Sequence, residues 1–91
     1  MNQVFVSDRV SQRHPEVSKE DAAAAWKNCI CSKPMVNKNP NEHIAVGYDE
    51  KGRLLELVVL RDSDGDWLIY HALTPPDDNA IRELGLNRRK R

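Results

Sequence analysis

The chain lacks an excess of either charge: 14 Lys and Arg stand against 14 Asp and Glu, for a formal net charge of zero. No global field therefore draws it to nucleic acid or to an anionic membrane, and any nucleic-acid contact has to come from a local patch. A long hydrophobic run is also missing. No apolar stretch approaches the roughly 20 residues of a spanning helix, and the opening Met1-Asn2-Gln3-Val4-Phe5-Val6 has neither the basic region nor the long apolar region of a secretory signal. A cytoplasmic protein with no membrane association is expected. Cysteine is scarce: Cys29 and Cys31 are the only two, one residue apart, and the three histidines are scattered at 14, 43 and 71. Neither a disulfide nor a zinc site is supported, and no metal or cofactor is expected. Glycine-rich phosphate loops, internal repeats and low-complexity segments are absent as well.

Ninety-one residues suffice for one domain with a modest core, so a site has to lie on the surface of a sheet or in a groove beside a helix. The clearest pattern runs from His43 to Thr74. Three apolar segments, His43–Tyr48, Arg53–Arg61 and Asp66–Thr74, are separated by Asp49-Glu50-Lys51-Gly52 and Asp62-Ser63-Asp64-Gly65. Both separators have hairpin chemistry, because glycine supplies positive φ and the acidic and serine side chains bond their own turn backbone. The fold class expected is α+β: a small antiparallel meander of three to four strands, packed by an N-terminal helix and followed by a short C-terminal helix. In the second segment Leu55, Leu57 and Val59 face one way, and Leu54, Val58 and Leu60 the other, interrupted only by Glu56. In the third, period two puts Trp67, Ile69, His71 and Leu73 on one face. With both faces apolar, one takes the helix and the other needs the terminal segments or another protein chain.

Ahead of the meander, Val4–Val6 reads as a short edge strand, and Ser7 as the cap of a brief helix through Arg13. A longer helix starts at Lys19, with Ser18 as N-cap, Asp21 closing a capping box and Val17 stapled onto Ala22. Ala22, Ala25, Trp26, Cys29 and Ile30 form its apolar stripe, with Trp26 as the central anchor. Ser32–Glu42, rich in Asn, Lys and Pro, reads as a surface loop, and His43 as an exposed strand start. At the far end Thr74 caps a helix running to about Leu84. Gly85 fits the left-handed position after it, Leu86 reaches back to Ile81, and Asn87–Arg91 form a basic tail.

The segment from Arg13 to Ala22, Arg-His-Pro-Glu-Val-Ser-Lys-Glu-Asp-Ala, resembles the helix opening of BrnT-like toxins, a branch of the RelE-like fold. Ala45-Val46-Gly47, Gly52-Arg53-Leu54-Leu55 and Trp67–Ala72 are similar, in order, to that family's strands. The resemblance implies the toxin of a type II toxin–antitoxin pair, a compact ribonuclease that cuts RNA without a metal and is covered by a cognate antitoxin. His14 matches the family's basic-His pair and Arg53 the arginine that opens the central strand, while His71 takes the place of a small polar residue. Leu73 and the Asp77-Asp78 pair stand where the family is basic.

Cleaving RNA without a metal needs a group to take the 2′-hydroxyl proton, a cation for the phosphorane and a group to protonate the leaving oxygen; histidine and arginine suit these tasks. His14, His71 and Arg61 are the catalytic candidates on this reading, and Arg9, Arg13 and Arg53 the RNA-binding ones. The same residues have plain structural readings: His71 as a strand histidine bonded to backbone, His14 as a turn residue before Pro15, Arg53 and Arg61 as partners of the acidic turns. A silent relative that binds a protein partner or a second copy of itself, or an RNA-binding module without catalysis, are the competing functions.

Overall fold

The computed structural model describes residues 3–35, 39 and 41–85. The apolar alternation of β4 (Leu54–Arg61) puts Leu55, Leu57 and Val59 into one core, where all three are fully buried. β3 (Glu42–Tyr48) and β5 (Trp67–Leu73) flank it, both antiparallel. The two turns have the chemistry read from their composition. Gly52 and Gly65 have φ of 80° and 85°, Asp49 Oδ1 accepts from the amides of Lys51 and Arg53, and Asp62 Oδ1 accepts from those of Asp64 and Asp66.

The α+β class holds, but the sheet is wider than a meander of three to four antiparallel strands. It is five-stranded and mixed, in the order β1-β5-β4-β3-β2. β1 (Val4–Val6) lies parallel to β5, with Val4 opposite Trp67 and Val6 opposite Ile69. β2 (Cys29–Pro34) runs antiparallel to β3 and is drawn from residues expected at the helix end and in the loop.

The extra strand follows from where α2 (Lys19–Lys27) stops. Its start is as expected: Ser18 Oγ accepts from the Asp21 amide, and Asp21 Oδ2 accepts from the Ser18 amide, both at 3.0 Å. Its end is three residues earlier than the apolar stripe suggests, because Asn28 leaves helical geometry at φ −102° and ψ 31°. The last turn of the helix lies directly on Gly47 of β3, where a Cβ would come within 1.9 Å of the Ala25 carbonyl oxygen. Having met the sheet there, the chain turns back along β3. Ile30 is therefore 56% exposed on an edge strand, and the β2–β3 connection begins at Met35. Trp26 packs at the margin of the core rather than its centre, its ring 5.1 Å from that of Trp67.

Helix α1 (Arg9–Arg13) has Asp8 at its N-cap, while Ser7 Oγ accepts from the Arg9 amide. Val10 is its buried anchor, packing into the core beside β5. At the other end Asp77, not Thr74, caps α3 (Asp78–Glu83), its Oδ1 accepting from the Ala80 amide; the Thr74 hydroxyl instead donates to the Leu54 carbonyl. Ala80 and Leu84 cover Ile44 and Val46 on the face of the sheet away from α2. Gly85 takes the left-handed conformation, φ 73°. Leu86 and the tail at 87–91 lie outside the described residues, as do 36–38 and 40 of the β2–β3 connection.

Candidate functional site

One irregularity in the sheet builds the site. Val58 lies opposite His71 but Val59 lies opposite Ile69, so Tyr70 is an extra residue on β5. A single inserted residue reverses the faces beyond it. Trp67 and Ile69 keep their expected side, but Ala72 takes the next core position, fully buried, and His71 and Leu73 turn to the opposite face. The expectation that His71 and Leu73 share a face with Trp67 and Ile69 is thereby corrected.

Tyr70 and His71 open into a cavity of about 250 Å³ between β5, α1 and the start of β3. Val58 and Met35 give it apolar walls; Arg9, Arg13, His14 and Glu42 bring charge and proton chemistry. The local fold explains the convergence. Arg9 and Arg13 are four residues apart and so share a helix face, which Val10 fixes by its burial. His14 is the C-cap of α1, its amide donating to the Val10 carbonyl. Its carbonyl in turn accepts from the Val17 amide at 2.8 Å, which closes the turn through Pro15. The imidazole meets that of His71 edge to face, centroids 5.9 Å apart. Glu16 Oε2 lies 4.0 Å from His14 Nδ1.

His71 is held from below. Its Nε2 lies 2.7 Å from Oε2 of Glu56, a carboxylate almost wholly buried in β4, whose Oε1 accepts from the Asp77 amide at 2.8 Å. Nε2 facing a carboxylate carries the proton in the neutral ring, which leaves Nδ1 as the acceptor. Glu42 Oε2 accepts the hydroxyl of Tyr70. Burial first, then the Glu42 hydrogen bond and charge, push the Tyr70 phenol up to about 12, against a smaller opposing effect of Arg9. Tyr70 is thus a proton-bearing donor at neutral pH. Neither Arg9 nor Arg13 makes an ion pair among the described residues, so both guanidinia are free to meet an anion.

Four of the six candidates read from the sequence, Arg9, Arg13, His14 and His71, line this one cavity. Arg53 and Arg61 do not. Arg53 clamps the β3–β4 turn to the start of α2: its Nε reaches Asp49 at 2.8 Å, one terminal nitrogen reaches Asp21 at 2.9 Å, and the other donates to the Glu16 carbonyl at 3.0 Å. Arg61 lies over the Trp67 ring, 5.5 Å from its centroid. His43, expected to be exposed, is half-buried edge-on to Trp67 at 5.1 Å. Among the described residues, Asp62, Asp64 and Asp66 are the only acidic or histidine cluster at metal-binding spacing, and they lie in the β4–β5 turn, outside the cavity.

Glu56, Glu42 and Tyr70 were not singled out from the sequence. Glu56 did leave a signal, as the lone acid in an otherwise apolar strand; a carboxylate in such a place needs a buried partner. Glu42 and Tyr70 left none, since their meeting depends on the bulge. Compared with protein-family models, with curated proteins and with solved structures, the chain matches none.

Proposed function

We propose that the chain is the toxin of a type II toxin–antitoxin pair, an endoribonuclease that cuts RNA without a metal, as its resemblance to BrnT-like proteins implies. The observation that supports this best is the convergence of His14, a carboxylate-held His71, and Arg9 and Arg13, which form no ion pair among the described residues, around one open cavity. In the proposed reaction His71 Nδ1 takes the 2′-hydroxyl proton, the 2′-oxygen bonds to phosphorus, and Glu56 balances the imidazolium that forms. The bond from phosphorus to the 5′-oxygen breaks, and His14, entering as the imidazolium, gives that oxygen its proton. Arg9 and Arg13 stabilise the charge on the phosphorane. The products are a 2′,3′-cyclic phosphate and a 5′-hydroxyl, and two imidazoles supply both proton transfers, so the scheme calls for no metal.

A cognate antitoxin is the proposed protein partner. Phe5 of β1 and Leu68 of β5 are paired neighbours, 50% and 36% exposed, and Leu60 continues them across β4. That apolar strip also favours a second reading, a silent interaction module that binds a partner or itself. Induced expression in bacteria beside a His14→Ala/His71→Ala double variant, matched for soluble protein, separates the two. Growth arrest by the wild type alone supports the toxin; equal growth of both supports the silent module.

A further inference from the structure

Glu42 is out of place in a pocket designed only for phosphate. A carboxylate repels an anionic ligand, yet this one stands half-buried in the wall shared with Arg9 and Arg13 and forms no ion pair with either among the described residues. The Tyr70 hydroxyl occupies one acceptor position on its Oε2. A carboxylate has about four such positions, so capacity remains for two further donors. The cavity therefore asks for a ligand that carries both an anion and hydrogen-bond donors.

Among nucleobases the fit is selective. Guanine presents two adjacent donors, N1–H and N2–H, which a carboxylate accepts in parallel. Adenine and cytosine set a single exocyclic amine beside a ring-nitrogen acceptor, and uracil flanks its one N–H with two carbonyls; each places a lone pair against the carboxylate. The Watson–Crick edge of an unpaired base is the surface by which single-stranded RNA is read. Val58 and the Met35 side chain supply apolar walls for the base faces. The volume, about 250 Å³, admits a base with part of its ribose phosphate.

We infer that the cavity binds a guanine nucleotide, with Glu42 reading the base and Arg9 and Arg13 holding its 3′-phosphate. This rests on the ribonuclease reading in that the same nucleotide carries the attacking 2′-hydroxyl to His14 and His71, so that cleavage follows guanine. Tyr70 is a positioning residue, since it acts by orienting Glu42.

The test is titration of the full chain with guanosine, inosine, adenosine, cytidine and uridine 3′-monophosphates, followed by calorimetry or by amide shifts. Inosine lacks only the N2 amine. Guanosine 3′-monophosphate is expected to bind roughly tenfold more tightly than the adenosine, cytidine and uridine compounds, with inosine between, as a bidentate base contact gives. In Glu42→Gln, which keeps the shape and a partner for Tyr70, guanosine is expected to fall to the level of the others. Equal affinity for guanosine and inosine in the wild type overturns the inference without recourse to any variant. So does an unchanged preference in Glu42→Gln. RNA cleavage with no base preference defeats the guanine site and leaves the ribonuclease standing, whereas guanine selectivity through Glu42 without cleavage supports the site and defeats the ribonuclease.

Discussion

Burial, and after it the Glu42 carboxylate, holds the proton on Tyr70, and this is open to direct titration. A tyrosine raised to about 12 remains un-ionised at the pH near 10 where an ordinary phenol titrates. Absorbance at alkaline pH is expected to show a late-titrating tyrosine, and Glu42→Gln is expected to bring it part of the way down, since burial remains. Since the folded pKa is raised above the unfolded one, the stabilisation this group gives is complete below about pH 10 and declines as pH climbs through 12. Glu56 makes a different demand. In Glu56→Gln the side chain can still accept from the Asp77 amide, but its NH₂ then faces His71 Nε2 and moves the ring proton to Nδ1. On the proposed ribonuclease reading, RNA cleavage is expected to fall by about a hundredfold or more, with the thermal melt shifted far less. Of these residues only Glu56 was legible beforehand, as an acid interrupting Leu55 and Leu57. Composition has no means of announcing the pairing of Glu42 with Tyr70, which hangs on one inserted residue.

Elements were readable where their determinants are local and unreadable where they are not. The start of α2 is written in Ser18 and Asp21, three residues apart, and both turns of the meander in Asp49, Gly52, Asp62 and Gly65. Where α2 ends is decided on another strand, at Gly47. Gly47→Ala is expected to cost about 2 kcal/mol or more in denaturant unfolding, because backbone has to move to admit the methyl. Arg53 was legible as a strand-opening arginine, but its work is to join elements. It ties the β3–β4 turn to α2 and to the Glu16 carbonyl, two residues beyond His14. Burial alone would raise Asp49; the Arg53 and Lys51 bonds outweigh it, and the carboxyl ends below its usual range. Asp21 ends low for the same reason, with Ser18 and Lys51 as the opposing partners. A depressed folded pKa gives stability that is present above the unfolded value, about 4, and is lost as pH falls through the folded one. Acid titration of the melting temperature is expected to show a drop below about pH 4 that Asp21→Asn/Asp49→Asn flattens. Arg53→Ala, which takes the ion-pair partner from buried Asp49 and leaves Asp21 to Lys51 and Ser18, is expected to cost about 3 kcal/mol at neutral pH.

At the scale of the whole molecule, the sheet brings Arg9, Arg13 and His14 to His71, about sixty residues further along the chain. Parallel pairing of β1 with β5 makes this happen, because it delivers α1 to the side of β5 where the bulge turns His71 outward. A purely antiparallel meander offers no such route. The ordered motifs from Arg13 onward placed the candidate histidines in the chain; neither motif nor period could place Arg61 on Trp67 or reveal the parallel edge. At the centre of the proposed function are two histidines acting together on RNA. Its most direct test is incubation of purified wild-type chain with single-stranded RNA in excess chelator, with analysis of the product ends, beside His14→Ala and His71→Ala. The expected result is 2′,3′-cyclic phosphate and 5′-hydroxyl ends from the wild type, reduced by a hundredfold or more in each variant. Intact RNA with the wild type, or the same cleavage in both variants, would contradict it.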